Sequence, residues 1–529
     1  MTPRQPIGLL VATLLGTLFV LHALWFFPFR LDDAFILLRY ANNVRHHNGW
    51  VFNAGERVEG FTSPAMVAIE SVLLHFDVNG LWWAKALGLV SGVLLFIGAI
   101  RIARMFDGSS IAWIVAAFFV AISMPLAVGS VNGLETAPFA ACCVWGLILA
   151  QSTDRGWRVV GGILLGGAVC FRPDGALAFA AALAVALFRR QWLGLFLSWA
   201  AIALPVTLVR YLYFGSLTTN TYLAKIAPDA VNRWESGVDY LLRFGATPAL
   251  IAGLVALIAL TLKRVEARSF ALFAVAWTIY VVWTGGDWVP RGRFFVPIIP
   301  ILAAGLGAGL AQAGLWLFRS QAQPATWAAG LAVLFVLVCL PSAWADTSET
   351  HQQINTLTRG SLDGRERLGR WLHRATSPRD TVALFDVGEV GYESHIPTID
   401  TGGLTDRSVA EKLHESAGQY LGYLLFPDPG TASAIAKDVV ARHPDMIVNV
   451  LNGPLPQLLA DPKKVWKGAY KQDIAMMENP DFKANYEYLC HVPGEWLQGE
   501  RYAYNLFVRK GYKTRLKPTI KEDGRALCE

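Results

Sequence analysis

Apolar residues run in long stretches through the first two thirds of the chain, without the two-residue alternation of a half-buried strand. A helix needs about 20 apolar residues to cross the hydrocarbon of a bilayer. Eleven stretches are candidate spans: 7–28, 80–100, 110–127, 135–150, 158–171, 174–188, 192–213, 247–262, 269–284, 294–318 and 326–344. The run 158–188 is interrupted by Phe171-Arg172-Pro173-Asp174-Gly175. A single span there would put Arg172 and Asp174 in lipid at roughly 2.5–3.5 kcal/mol each, so two short spans with the break at the surface are expected. The first stretch reads as an anchor, because its apolar run is long and no small-residue cleavage site follows. Beyond residue 345 the pattern shortens. Strand-length apolar runs appear at 381–387 and 446–451, and helical patterns at 363–375 and 431–442. This predicts a polytopic α-helical membrane region followed by an α/β domain.

Composition agrees. Of 529 residues, 54% are hydrophobic and 16% charged, against about 25% charged in an ordinary soluble domain. This excludes a soluble globular protein, a disordered chain and a collagen-like chain. Six cysteines exclude a disulfide scaffold. A net charge of +6 gives no ground for a nucleic-acid partner. Residues 1–344 hold 23 of the 46 basic and 15 of the 40 acidic residues, whereas residues 345–529 hold 23 and 25. The chain therefore divides into a membrane region, 1–344, and a water-soluble domain, 345–529.

Short loops set the orientation. With the N-terminus inside, Arg101, Arg104, Arg155, Arg158, Arg189, Arg190, Lys263, Arg264, Arg268 and Arg319 fall in cytoplasmic loops. Eleven spans then place residues 345–529 outside, together with loops 29–79, 214–246 and 285–293. In a bacterium this is the inner membrane with a periplasmic C-terminal domain. Most acids of the membrane region share that outer face: Asp32, Asp33, Glu56, Glu59, Glu135, Asp174, Asp229, Glu235, Asp239 and Asp287.

Five constellations lie there. Asp32 and Asp33 follow the first span, with Arg39, Glu56, Arg57 and Glu59 in the same loop. Adjacent carboxylates offer a general base or a cation ligand; equally, they cap the helix that begins near Ala34. Asn132-Gly133-Leu134-Glu135 stands at a span end, where Glu135 either caps the next helix or faces the cleft. Arg172 and Asp174 either pair within a Pro-Gly turn or face the cleft. Asn220, Tyr222 and Lys225 share a loop, Lys225 being either a phosphate ligand or a solvated headgroup contact. Finally, Gly285-Gly286-Asp287 precedes Arg291 and Arg293; arginines suit phosphate, and the bland alternative is an interfacial Trp/Arg belt. No P-loop, GxGxxG, HExxH or GxSxG occurs, and the ten histidines show no metal-ligand spacing. Together these features describe an outer-face cleft with carboxylates and guanidinium groups above apolar helices, suited to a lipid-linked phosphate.

In order along the chain, DDAFILLRYANN…NGWVFNAGERVEGFTSP, NGLETAPFAA, FRPDG, NTYLAK and GGDWVPRGRFFVPIIP resemble the motifs of GT-C-type polyprenyl-phosphate glycosyltransferases. That family includes the mycobacterial terminal arabinofuranosyltransferase and the type IV pilin arabinosyltransferase. Asp386-Val387-Gly388-Glu389-Val390-Gly391-Tyr392 and Ile399-Asp400-Thr401-Gly402-Gly403-Leu404-Thr405-Asp406 resemble its periplasmic domain. The resemblance covers most of residues 28–450. It implies transfer of a sugar, an arabinofuranose-like pentose above others, from a polyprenyl-phosphate donor to a glycan or protein acceptor, with inversion. Carried over, Asp32 is the first candidate for the base, with Asp33 as alternative or orienter. Arg172, Lys225, Arg291 and Arg293 are candidates for the donor phosphate. Arg39, Glu56, Glu59, Asn220, Tyr222 and Asp287 are candidates for sugar or acceptor binding or for positioning. No cofactor is demanded, and a divalent cation at Asp32 and Asp33 is compatible with the pattern. Pro290-Arg291-Gly292-Arg293 stands where the family has a Gly-Tyr/Phe-Arg type element, which leaves both arginines as candidates.

Cys490 and Cys528 fall in the outer domain, where oxidation is expected; Cys142, Cys143, Cys170 and Cys339 lie in apolar spans. A bridge and two free thiols are both compatible with the spacing. The rival functional class is a transporter or flippase of a lipid-linked sugar. The scarcity of charge in mid-span argues for the enzyme.

Overall fold

The computed structural model describes residues 4–76, 79–226, 230–245, 247–287, 289, 292–416, 419–421, 424–460, 470–497, 500–521 and 526–529. Each of the eleven expected spans forms a helix. The first is α1 (Arg4–Trp25); α2 (Asp32–Arg45) and α3 (Pro64–Leu74) follow in the loop after it. Then come α4 (Gly80–Phe106), α5 (Ser110–Ala121), the short α6 (Met124–Gly129), α7 (Thr136–Ala150), α8 (Arg155–Phe171), α9 (Ala176–Phe188) and α10 (Trp192–Phe214). The next loop carries α11 (Asn220–Lys225) and α12 (Ala230–Tyr240), and α13 (Pro248–Leu260), α14 (Val265–Trp283), α15 (Ile299–Leu317) and α16 (Pro324–Gly360) complete the set.

Among the described residues, six helices are long and apolar enough to cross a membrane, or seven if a bent pair counts as one span. The expected eleven is thus a count of apolar helices, five of which fall short: α5, α7, α8, α9 and α13 have 12, 15, 17, 13 and 13 residues. A 13-residue helix reaches only about 20 Å, against the ~30 Å of hydrocarbon. These helices pack in one continuous core built around Phe106, Phe139, Phe270 and Trp277.

The compositional border at 344/345 falls inside α16, which runs on to Gly360. The residues after Trp344 turn polar but contain no proline or glycine until Gly360, so the surroundings change while the backbone does not.

Beyond it lie α17 (Arg367–Ala375), α18 (Val387–Ser394), α19 (Arg407–His414) and α20 (Pro429–Ala441). Strands β1 (Val382–Leu384), β2 (Thr398–Asp400), β5 (Met446–Leu451), β6 (Tyr486–Leu497), β7 (Glu500–Arg509), β8 (Thr519–Ile520) and β9 (Ala526–Leu527) form one sheet, in the order β2-β1-β5-β7-β6-β9-β8. Strands β3 (Gln419–Leu421) and β4 (Leu424–Phe426) pair separately. The expected strands at 381–387 and 446–451 became β1 and β5; the first is shorter because α18 begins at Val387. Strands β2, β1 and β5 pair in parallel, as in a Rossmann-like sheet; β7 joins β5 antiparallel and makes a hairpin with β6, which in turn pairs in parallel with β9. Cys490 and Cys528 form a disulfide.

This sheet does not stand apart. A second core joins Phe29, Phe35 and Tyr40 around α2 to Trp371, Val390 and Val448 of the C-terminal region. The loop after the first helix is therefore the platform on which the sheet domain sits.

Candidate active site

A cavity of about 330 Å³ opens where the span ends, the loops and the C-terminal region meet. Asp33, Glu135, Arg172, Asp174, Tyr222, Lys225, Asp287 and Arg293 all line it, so residues from all five constellations converge.

Asp32 and Asp33 begin α2 and, as neighbours on a helix, point in different directions. Asp33 faces the cavity, and its Oδ2 lies 3.3 Å from Lys225 Nζ. Asp32 turns toward the sheet domain. Its oxygens accept from Gly388 N at 2.9 Å and Glu389 N at 2.8 Å, capping α18 rather than its own helix. Gly388 permits that approach: a Cβ there would come within 2.1 Å of the Asp32 carbonyl oxygen. Burial pushes the Asp32 carboxyl up to about 8, against the pull of Arg365, 3.9 Å away. The residue placed first as base thus does not line the cavity.

Arg172 ends α8. Pro173 disfavours a helical conformation for the residue before it, and Arg172 is extended, with φ −154° and ψ 134°. Its side chain pairs with Asp174 Oδ2 at 3.0 Å and with Glu135 Oε1 at 3.1 Å. The local Arg-Asp pair is present, but in the cavity wall. Glu135 occupies the N-cap position of α7, but its side chain makes no capping bond to that helix. The guanidinium also lies 5.0 Å from the Phe294 ring centroid. Arg293 makes a two-point pair with Asp287 at 2.5 and 2.9 Å. Gly286, at φ +86°, sits where a Cβ would strike the Tyr240 ring at 2.6 Å. Arg291 lies outside the described residues. Every described cation of the lining is thus paired with a carboxylate, three cations facing four acids.

The other candidates frame the cavity. Glu59 is bound by Arg210 of α10, and burial raises its carboxyl while Arg210 lowers it. The Glu59 carbonyl accepts from Asn220 N at 3.0 Å. The Asn220 amide donates to Gly403 O at 2.7 Å and Leu404 O at 3.0 Å, tying α11 to the C-terminal region. Thr219 caps α11, which carries Tyr222 and Lys225. Arg39 is buried and donates to Phe52 O, Gly391 O and Ile396 O; it fastens the platform to the sheet domain away from the cavity. Glu56 is exposed and accepts from Asn53 Nδ2 at 3.0 Å.

Reading the sequence missed Arg210, Tyr280 and Thr284. Arg210 carried a signal, since a charge inside an apolar span needs a partner. Tyr280 and Thr284 line the cavity from α14 and its end, and nothing in the pattern marks them. Among the described residues no group of three or more His, Cys, Asp or Glu side chains could hold a metal ion.

Residues 349–507 match a family described as a domain of unknown function, DUF8728. The chain is similar to the terminal beta-(1->2)-arabinofuranosyltransferases of Mycobacterium tuberculosis, 30% identical over 259 residues, and of Corynebacterium glutamicum, 26% identical over 356 residues. These alignments cover 45% and 55% of this chain, and 41% and 50% of the relatives, so the chain spans half or less of the curated proteins it matches. In solved structures, the fold is similar to that of ArnT from Cupriavidus metallidurans bound to undecaprenyl phosphate, with TM-score 0.53, 15% identity, and 96% and 98% of the two chains covered. It is also similar to the oligosaccharyltransferase AglB from Archaeoglobus fulgidus in complex with an inhibitory peptide and a dolichol-phosphate, with TM-score 0.60, 12% identity, and 93% and 80% covered. The chain thus has a GT-C-like fold and is a multi-pass membrane protein.

Proposed function

We propose that this chain is an integral-membrane glycosyltransferase. It moves a sugar, an arabinofuranose-like pentose above others, from a polyprenyl-phosphate donor to a glycan or protein acceptor. The observation that carries the reading is the cavity in which Asp33 and Lys225 meet Arg172 and Arg293. The names of the curated relatives and the lipid phosphates bound to the solved neighbours support it. They lend no support to a transporter.

Asp33 is the base. It takes the proton of the acceptor hydroxyl as that oxygen bonds to the anomeric carbon. The bond from that carbon to the phosphate oxygen breaks, both electrons leave with polyprenyl phosphate, and the configuration inverts. Lys225, Arg172 and Arg293, with Arg291, offset the charge on the departing phosphate. Phosphate binding is then an exchange of anions, since carboxylates hold the described cations. A phosphate that takes Lys225 frees Asp33, which couples donor binding to activation of the base. Tyr222 contacts the sugar or acceptor from the wall. Asp287 positions Arg293, while Glu59 and Asn220 position α11. No step demands a metal, because Lys225 and the arginines neutralise the departing phosphate.

The reaction takes place at the outer face of a bacterial inner membrane, with the C-terminal domain periplasmic. The charge bias of the short loops and the Cys490–Cys528 bridge support this side. The test is incubation of the full chain, in lipid nanodiscs, with synthetic polyprenyl-phosphate arabinofuranose and an arabinan oligosaccharide. Acceptor lengthened by one residue, and lost with Asp33→Asn, is the expected product. Failure to transfer from any polyprenyl-phosphate sugar would overturn the reading.

A further inference from the structure

A second cavity, of about 950 Å³, opens between α1, α4 and α5, well away from the site described above. Its walls are apolar along nearly the whole length, with Ala12, Phe19 and Val20 on one side and Phe96 and Ile100 on the other. From Gly8 to Leu21 the groove follows α1 for about 20 Å. One leaflet of hydrocarbon is about 15 Å deep, so an acyl chain can lie in it at full length. Such a wall offers water few partners. Most of α1 faces outward rather than into the bundle.

One end of the groove is charged. Arg104 lines it near the end of α4, exposed, its guanidinium 5.0 Å from the Trp113 ring centroid. The nearby Asp107 carboxylate accepts from Ser109 N at 2.8 Å. The opposite end of α4 abuts the platform: Lys85 donates to Phe27 O at 2.5 Å and Phe29 O at 2.6 Å. Arg104 therefore lies at the membrane face opposite the 330 Å³ cavity, the face that carries Arg101 and the other short-loop arginines.

We propose that this groove is a binding site for an anionic phospholipid, with its acyl chains along α1 and its phosphate against Arg104. Charge complementarity selects the occupant: a zwitterionic lipid fills the groove equally well but brings no net charge to the guanidinium. Arginine matches phosphate with several donors at once. The lipid wedges α1 against α4, and α1 leads through Phe29 and Arg30 directly into Asp32 and Asp33. The site stands independently of the proposed activity.

The test uses the full chain extracted in mild detergent and returned to phosphatidylglycerol or phosphatidylethanolamine of identical acyl chains. Native mass spectrometry counts the retained lipid. Phosphatidylglycerol is expected to be retained in preference, and Arg104→Gln to lower its retention about fivefold, the worth of one headgroup–cation contact. Arg268→Gln, at the same membrane face outside the groove, is expected to leave retention unchanged. Ala12→Phe, which fills the groove, is expected to lower retention of both lipids while the melting temperature reports an intact fold. Equal retention of the two lipids, an unchanged Arg104→Gln, or an equal loss in Arg268→Gln would each overturn the proposal.

Discussion

Arg210 and Glu59 meet as a two-point ion pair, with Nε–Oε1 at 2.5 Å, Nη2–Oε2 at 2.9 Å and both side chains buried. One belongs to a span and the other to the loop after the first helix. Through its carbonyl, Glu59 also receives Asn220 N, so the pair holds the helix that presents Lys225 to Asp33. Removing one partner leaves a buried charge uncompensated. Glu59→Ala is expected to cost about 3–5 kcal/mol, and the Glu59→Ala/Arg210→Ala double variant less than the two single losses together. Thermal unfolding of the four proteins reads the coupling. Additive losses would mean that the pair is not a unit.

Asp33→Asn is expected to lower turnover about 10²–10⁴-fold, the usual contribution of a general base, with an unchanged melting temperature. Asp32→Asn should show the reverse emphasis. An amide accepts through one oxygen only, so one of the N–H groups of Gly388 and Glu389 loses its partner, at about 1–3 kcal/mol. Turnover by correctly folded protein, measured for both variants, separates the roles. Normal turnover with Asp33→Asn would return the base to Asp32.

Cys490 and Cys528 close a loop of 38 residues with Cα atoms 5.5 Å apart. The double Cys→Ser variant is expected to lose about 3–4 kcal/mol. Non-reducing peptide mapping should recover the linked peptides, and free, alkylatable thiols at both positions in protein from an oxidising compartment would count against the bridge.

Asp428 caps α20, accepting from the Thr431 hydroxyl at 2.6 Å, Thr431 N at 3.0 Å and Ser416 Oγ at 3.0 Å. The bonds from Thr431, side chain first, hold its carboxyl down to about 2. A depressed carboxyl stabilises the fold above its unfolded pKa of about 3.9 and loses that contribution as pH falls through the folded one. Asp428→Ala should therefore cost about 1 kcal/mol near neutral pH. The gap to wild type should narrow between about pH 4 and 2. Unfolding curves at several pH values test this, and a gap that widens on acidification would refute it.

A phosphatase fused after Glu529 should be active if the C-terminal domain faces the periplasm. Inactivity, with activity of a cytoplasmic reporter at the same position, would reverse the orientation.

What the sequence determined by itself follows from effects local along the chain. Each of the eleven apolar runs coincides with a helix, and Pro173 and the two charges beside it located the break between α8 and α9. Residue types marked the five loops that meet in one cavity. Strand-length runs located β1 and β5. Periodicity could not say which apolar helices reach across the bilayer, because helix length depends on where caps and turns fall. Nor could it say that the change of composition at 344/345 lies within one helix. Only the tertiary structure decided which of two adjacent aspartates faces the cavity. Asp32 and Asp33 have the same chemistry and differ by one step around α2, and their roles part because the N-terminus of α18, some 355 residues further on, occupies one direction and Lys225 the other. Likewise Arg39, a candidate for ligand contact or for positioning, fastens the platform to the sheet domain, while Arg210, hidden in an apolar run, is the partner of Glu59. Such pairings join residues distant in sequence, and a one-dimensional pattern holds no record of the direction in which a side chain points.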